Sequence, residues 1–332
     1  MNIKKVGLTA LAGSLVATSA FAGGLSLSGG AKMSYVTKGG TLVEGSALDN
    51  VGSGFAMDQE ISASGSGELD NGFTVTLSHG LMGASGSFAG SDSSSISLDM
   101  GDMGTLSYDD TDGHFGLAGL EDFIPNAYEQ ANDGLGTTGT KATMAKMASG
   151  QGFGYSTTVG GASIGIGFSD NLGATTDRTD GETDSVANKT SSTSFSVSYD
   201  VMDSLTVKGG VGSEGQGDGK ELDHTTLGFV YSFGPAKIGY QLNDEDDSAS
   251  GGTDRETEIY AVSFMVNDNL SLSYGEHNTE KSGDPDDQEA DSIQASYSMG
   301  GVSINLKDSE MKNVGHGVKT QETTEVLVSF AF

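Results

Sequence analysis

Apolar and polar residues alternate along most of the chain in short runs separated by turn residues. In the first run, Leu25 to Tyr35, odd positions are apolar or small and even positions are polar or glycine. A period of two is typical of a β-strand with one dry and one wet face. The alternation recurs until a last run, Val326 to Phe332, and predicts sixteen strands.

One long stretch, Asp109 to Gln151, shows no alternation. A connection of this length without regular structure is unusual in a compact domain and is either functional or disordered. A mobile surface loop is one interpretation. We favour a loop that folds into the middle of a hollow structure.

The connections between strands differ in length. Short turns occur at Gly160-Gly161 and Gly300-Gly301, whereas long loops are predicted at Asp170–Thr190, Asn243–Arg255 and His277–Glu289. Short turns at one end and long loops at the other are typical of an outer-membrane barrel. The pattern predicts an all-β fold, a sixteen-stranded antiparallel transmembrane β-barrel with an inward-folded third long loop.

Aromatic residues near strand ends on the dry face would form two interfacial girdles. They are Tyr35, Tyr108, Tyr199, Phe233, Tyr274 and Phe332. A large secreted β-sandwich is the soluble alternative, but it does not require sixteen strands that share one polar, small-residue face.

The N-terminus predicts export. Lys4 and Lys5 precede an apolar stretch, and Ala20 and Ala22 occupy small-residue cleavage positions, so residues 1–22 are predicted to be a signal peptide. Residues 23–332 would then form the barrel. No later stretch reaches the roughly 18 continuous apolar residues that a membrane helix requires.

The composition is strongly acidic. Removing Lys4 and Lys5 changes the formal net charge from −30 to −32, because the predicted signal peptide contains no acid. Phosphates would be repelled, which argues against a nucleic-acid partner. The acidic outer-loop runs Asp244–Asp247 and Asp284–Asp287 lack the EF-hand pattern. We therefore expect no cofactor beyond loosely bound Ca²⁺ or Mg²⁺ at these loops, and solvated loops are the alternative.

Charged residues also occur on the wet face. Lys32, Asp58, Glu60 and Lys307 share this parity and are predicted to line the pore wall. Sixteen strands leave an aqueous channel, in which wall charges tune ion preference. Ordinary solvation of a polar wall is the alternative interpretation.

The chain resembles a general-diffusion porin of the Gram-negative outer membrane, of the alphaproteobacterial, sixteen-stranded, trimeric type. The resemblance rests on the predicted signal peptide, the strand number, the long stretch after strand five and the terminal strand ending in Phe332. It implies a homotrimer surrounded by outer-membrane lipid and lipopolysaccharide. It also implies that Phe330 and Phe332 belong to a signal read by the barrel-insertion machinery.

In such porins the third long loop narrows the channel into an eyelet. The resemblance implies an acidic side of the eyelet formed by Asp109, Asp110, Asp112, Glu121 and Asp122. Family eyelets usually carry several arginines on the opposite wall. This chain departs from that pattern, because its two arginines, Arg178 and Arg255, lie in predicted outer loops.

Catalytic motifs lack the required context. Gly161 to Gly165 matches G-x-S-x-G, but the serine opens a predicted strand rather than a strand–turn–helix elbow. Gly210 to Gly215 matches G-x-G-x-x-G without a following helix. An outer-membrane hydrolase is therefore disfavoured.

We predict a non-enzymatic porin that passes small hydrophilic solutes and ions by passive diffusion and prefers cations. The alternative is an outer-membrane barrel whose acidic loops serve adhesion or receptor binding.

Overall fold

The computed structural model contains sixteen strands. It describes residues 24–41, 51–84, 91–109, 115–121, 123–135, 152–171, 190–217, 220–249 and 251–331. The strands are β1 Ser26–Gly39, β2 Gly52–Glu68, β3 Thr74–Ala84, β4 Ser91–Asp99, β5 Thr105–Asp109, β6 Gly152–Val159, β7 Ala162–Asn171, β8 Thr190–Met202, β9 Leu205–Gly217, β10 Lys220–Phe233, β11 Ala236–Asp247, β12 Arg255–Asn267, β13 Leu270–Lys281, β14 Gln288–Met299, β15 Val302–Lys312 and β16 Gln321–Ala331.

Every strand pairs antiparallel with its neighbours in sequence, and β1 also pairs with β16. This last ladder runs from Gly30 opposite Ala331 to Gly39 opposite Glu322 and closes the barrel. Closure satisfies the backbone groups that an open edge would expose. The predicted fold class and number of strands are confirmed.

Helices are few among the described residues: two short 3₁₀ helices, Gly101–Met103 and Gly116–Leu120. Within this part of the chain, no helix has the length and apolar character needed to cross a membrane.

Tight turns join the strands at one end. Gly160 and Gly161 connect β6 to β7 with φ of 59° and 85°. A two-residue hairpin loop with positive φ at both positions matches the twist of the flanking strands, and glycine adopts it without steric cost.

Two predicted loops are shorter than expected. The loop predicted at Asn243–Arg255 comprises only residues 248–254, and the loop predicted at His277–Glu289 comprises only residues 282–287. The ladder continues there with polar residues on both faces, which hides the apolar–polar alternation. Arg255 accordingly begins β12 and pairs with Glu245 of β11 instead of lying in a loop.

The barrel wall has one apolar and one polar face, as the alternation predicts. Exposed apolar side chains share the first face, including Leu27, Phe55, Leu77, Ile96, Leu106, Phe153, Ile166, Phe195, Val211, Leu227, Phe264, Leu272, Ile293, Leu306 and Phe330. Buried polar side chains share the second, including Ser194, His224, Thr226, Gln241, Asn243, Thr257, Ser273, His277, Gln294, Asn305, Lys307 and Ser309. An apolar exposed face suits lipid.

Aromatic residues lie on the apolar face. Tyr35 packs against Phe55 with ring centroids 4.8 Å apart, and Tyr108 packs against Phe153 at 4.9 Å. Tyr199, Phe233 and Tyr274 share this face by their register. Phe332 lies outside the described residues, and the two complete girdles remain a prediction.

Carboxylates replace apolar residues toward the long-loop end of the apolar face. Tyr274 donates a hydrogen bond to Glu276 at 2.7 Å. Glu276 lies directly opposite Asp291, Asp291 opposite Glu310, and Glu310 opposite Glu322. A row of four opposed carboxylates therefore crosses β13 to β16.

Candidate functional site

The described part of the long stretch, residues 115–121 and 123–135, lies against the polar face of the wall. We call it the 115–135 segment. Its contacts begin with Gly154 of β6, next to Phe115, and end with Met311 of β15, next to Leu135. The segment thus follows ten consecutive strands, β6 to β15.

Glycines on the polar face make room for the segment. A Cβ atom added to Gly154 would lie 2.0 Å from Cδ1 of Phe115. One added to Gly239 would lie 2.4 Å from Cδ of Pro125. Cβ atoms at Gly210, Gly228 and Gly275 would lie 2.7, 2.5 and 3.2 Å from Leu117, Phe123 and Asn126. At Gly210 and Gly228 a backbone carbonyl of the wall would be closer still. We call these five residues the glycine track, and it explains part of the high glycine content.

Apolar residues interrupt the polar face where the segment packs. Ile124 forms a buried cluster with Ile259 and Ala261 of β12. Leu135 forms another with Ala290, Met311 and Val314. Burial of apolar side chains removes their surface from water and stabilises the contact.

Hydrogen bonds fix the middle of the segment. Leu117 N donates to Ser194 Oγ at 3.1 Å, and Ala127 N donates to Ser273 Oγ at 2.9 Å. Gln294 accepts from the backbone N–H groups of Tyr128 and Glu129 at 3.0 Å each, and its Nε2 donates to Glu129 O at 2.6 Å. These bonds satisfy backbone groups that have no partner within regular structure.

Lys307 binds the C-terminal part of the segment. Its Nζ donates to Gln130 O at 2.6 Å and to Asp133 O at 2.8 Å, and lies 3.4 Å from Glu129 Oε2. The Lys307 side chain is only 2% exposed. The structure therefore places this predicted pore-wall lysine on the polar face but covers its charge with the segment.

Two further side chains belong to this region. Lys208 Nζ lies 5.2 Å from the ring centroid of Phe123, a cation–π arrangement. Tyr128 is half-buried, and burial, followed by its hydrogen bond to Glu129, raises the pKa of its phenol. The phenol is therefore neutral at physiological pH.

The predicted acidic side of the eyelet is only partly described. Asp109 ends β5 on the polar face, opposite Ser95 and Gly152. Glu121 follows the second 3₁₀ helix, and its carbonyl accepts a hydrogen bond from Gln130 Nε2 at 2.6 Å. Asp110, Asp112 and Asp122 lie outside the described residues. The acidic side of the eyelet stays a prediction.

Three of the predicted wall residues lie together. Lys32 of β1 is directly opposite Asp58 of β2, and Glu60 lies two residues further along β2 on the same face. Glu60 accepts a hydrogen bond from Ser62 Oγ at 2.6 Å. Lys307 is separated from them, because β16 stands between β15 and β1.

Sequence reasoning missed three carboxylates. Glu129 and Asp133 occur in the segment itself, and Glu325 of β16 lies directly opposite Lys307. Glu325 occupies a polar-face position in the alternation of β16, so the sequence pattern could have identified it as a wall residue. Glu129 and Asp133 share a stretch without alternation, so nothing in the sequence distinguishes them from the other acids there.

The catalytic motifs remain without support. Ser163 lies in the β6–β7 hairpin, and the G-x-G-x-x-G residues lie within β9. In the described ranges no three His, Asp or Glu side chains are arranged to hold a metal. Loose Ca²⁺ or Mg²⁺ binding at the loops stays a prediction.

Comparisons with known proteins identify the family. The chain matches no curated protein sequence. It is similar in structure to the anion-selective porin from Comamonas acidovorans, with a TM-score of 0.65 and 16% identity over 93% of this chain and 99% of that one. A variant of the Rh. blastica porin gives a TM-score of 0.63 and 13% identity over 93% and 100%. The family model for Gram-negative porins matches residues 7–301, and the chain therefore belongs to the Gram-negative porin family.

Proposed function

We propose that the polar face of this outer-membrane diffusion channel encloses a water-filled path for small hydrophilic solutes and ions, and that the path prefers cations. Family and fold are those of non-enzymatic channels. The observation that carries the proposal is the 115–135 segment, which covers the polar face of ten strands. This position supports the proposal that the segment is an inward-folded loop that narrows the barrel.

The path would run between the segment and the strands that it does not follow, β16 and β1 to β5. On these strands Lys32 faces two acids, Asp58 and Glu60, and Glu129 of the segment adds a third. In a constriction of reduced dielectric, opposite charges attract more strongly than in bulk water, so an acidic excess enriches cations.

The sign of the preference has to come from such residues, not from the fold. The similar porin from Comamonas acidovorans is described as anion-selective. At 16% sequence identity the two proteins can be said to share a fold, and their ion selectivity can differ. This chain cannot form an eyelet wall with several arginines, because its sequence contains only two, Arg178 and Arg255.

Reversal potentials across a KCl gradient in planar bilayers test the preference. We expect wild type to give the cation-selective sign, and we expect Asp58→Asn with Glu60→Gln to reduce the cation-to-anion permeability ratio by about twofold or more. Asp246→Asn is the matched control, because this exposed acid has apolar-face parity near the end of β11 and charges beyond ~8 Å are screened at physiological salt.

An anion-selective sign in wild type, or equal ratios in wild type and the double variant, would contradict the cation preference. A folded barrel that conducts nothing would instead favour the adhesion or receptor alternative.

We also propose that the porin assembles as a homotrimer in outer-membrane lipid and lipopolysaccharide. Small residues on the apolar face of β1 and β2, Gly29, Ala31 and Ala63, support close approach of neighbouring subunits. Recognition of the C-terminal strand by the barrel-insertion machinery belongs to the same proposal. Phe330 lies on the apolar face of β16, and Phe332 lies outside the described residues.

Mass measurement of the purified mature protein in a mild detergent is expected to give three times the mass of the mature chain. Close-packed small residues stabilise such contacts in lipid through van der Waals packing. The same preparation after heating serves as the monomer standard. A monomer mass before heating would rule the trimer out.

A further inference from the structure

The Lys307 ammonium is fully occupied by the 115–135 segment. An ammonium has three donors and no acceptor. Gln130 O, Asp133 O and Glu129 Oε2 lie 2.6, 2.8 and 3.4 Å from Nζ. With only 2% of its side chain exposed, Lys307 is not in contact with ions that pass through the channel.

We propose that Lys307 is a positioning residue, which holds residues 129–133 against β15 and so places the Glu129 carboxylate at the edge of the path, where it determines ion selectivity together with Glu325. This inference rests on the proposed function. It reassigns Lys307 from a wall charge that repels cations to an anchor for the acid that attracts them.

The charges around Lys307 support this role. Glu129 lies on the segment side, with 35% of its side chain exposed, and Glu325 lies directly opposite Lys307 on β16. Glu325 also interacts electrostatically with Glu129. One covered lysine thus stands among partly exposed carboxylates, and the charge that reaches the path is negative.

The Glu129 backbone is held independently of its side chain. Its N–H donates to Gln294 Oε1 at 3.0 Å, and its carbonyl accepts from Gln294 Nε2 at 2.6 Å. Removing the carboxylate therefore leaves the segment attached. Removing Lys307 instead releases the Gln130 and Asp133 carbonyls and the Glu129 carboxylate.

The two roles of Lys307 predict opposite signs for one substitution. A wall charge that repels cations would, when neutralised, leave a more cation-selective channel of unchanged conductance. A positioning residue would, when removed, free the end of the segment, which would leave β15, enter the path and no longer hold the Glu129 carboxylate in one place. The channel would then conduct less and select less.

The test compares single-channel conductance and KCl reversal potential for wild type, Lys307→Met and Lys307→Arg. Methionine keeps much of the length and apolar volume of lysine but not its charge or donors. We expect Lys307→Met to lower conductance, because the released segment end enters the path, and to lower the cation-to-anion permeability ratio by about twofold, because Glu129 is no longer fixed at the edge of the path and electrostatic attraction falls with distance. Lys307→Arg, which keeps charge and donors, should stay closer to wild type in both measurements.

Lys32→Met is the matched control, because Lys32 shares the polar face but faces Asp58 on strands that the segment does not follow. It should raise the cation preference without the fall in conductance that release of the segment causes. Glu129→Gln should lower the preference with the segment still attached, and it tests the inference even where Lys307→Met does not fold.

A more cation-selective Lys307→Met channel of unchanged conductance, or unchanged selectivity in Glu129→Gln, would overturn the inference while leaving the channel function intact. Absence of conductance in folded wild-type protein would instead contradict the proposed function.

Discussion

Replacing Gly154 or Gly239 with alanine is expected to lower both the single-channel conductance and the thermal stability of the barrel, because the displaced segment enters the path. The new Cβ atom would lie 2.0 Å from Phe115 or 2.4 Å from Pro125, well inside van der Waals contact. At both positions the nearest atoms belong to the segment. The segment therefore has to move away from the wall, and overpacking of this kind costs about 1–3 kcal/mol.

Gly54→Ala is the matched control for these variants. Gly54 lies on the polar face of β2, and a Cβ atom there would have no neighbour within 4 Å. Conductance in planar bilayers and melting followed by circular dichroism measure the two effects. Equal conductance in all three variants and wild type would show that the glycine track does not position the segment.

Neutralising Asp291 is expected to stabilise the barrel at low ionic strength. Asp291 lies directly opposite Glu276 on one side and Glu310 on the other. Opposed like charges on neighbouring strands are destabilising by about 0.2–1 kcal/mol per pair. Lys312, opposite Glu289 on the same face, compensates part of this repulsion. Asp291→Asn removes two repulsive pairs at once and should raise the melting temperature.

The gain should shrink in high salt. Melting temperatures compared at about 0.01 M and 1 M KCl, where the Debye length is roughly 30 Å and 3 Å, measure this dependence. Asp268→Asn is the control, because Asp268 is an exposed acid in the turn between β12 and β13, at the opposite end of these strands from the row. A gain of the same size in Asp268→Asn, or one independent of salt, would contradict the role of the opposed row.

Much of the fold could be predicted because alternation reports directly which face of a strand is apolar. All sixteen strands and the polar parity of Lys32, Asp58, Glu60 and Lys307 follow from it. The lengths of the loops at 243–255 and 277–289 could not be predicted from the alternation, because the strands extend beyond the apolar band with polar residues on both faces. Alternation marks where a strand meets lipid, not where it ends.

The path of the segment could not be predicted, because it depends on contacts between residues far apart in sequence. Parity places Lys307 on the polar face but does not reveal its bonds to Gln130 and Asp133. One signal was available: Ile259 and Met311 are apolar residues at polar-face positions, and each packs against the segment. Such exceptions to alternation mark where a loop returns to the wall.

The pairing of β1 with β16 has a consequence for the order of folding. Fifteen ladders join strands adjacent in sequence, whereas the closing ladder joins residues about 300 positions apart, such as Gly30 and Ala331. Hairpins can form locally, but closure carries the full entropic cost of a long loop and comes late. Until β16 is in place, two strand edges remain unpaired, and lipid offers them no hydrogen-bonding partner. Insertion into the membrane and completion of the ring are therefore expected to be a single kinetic event.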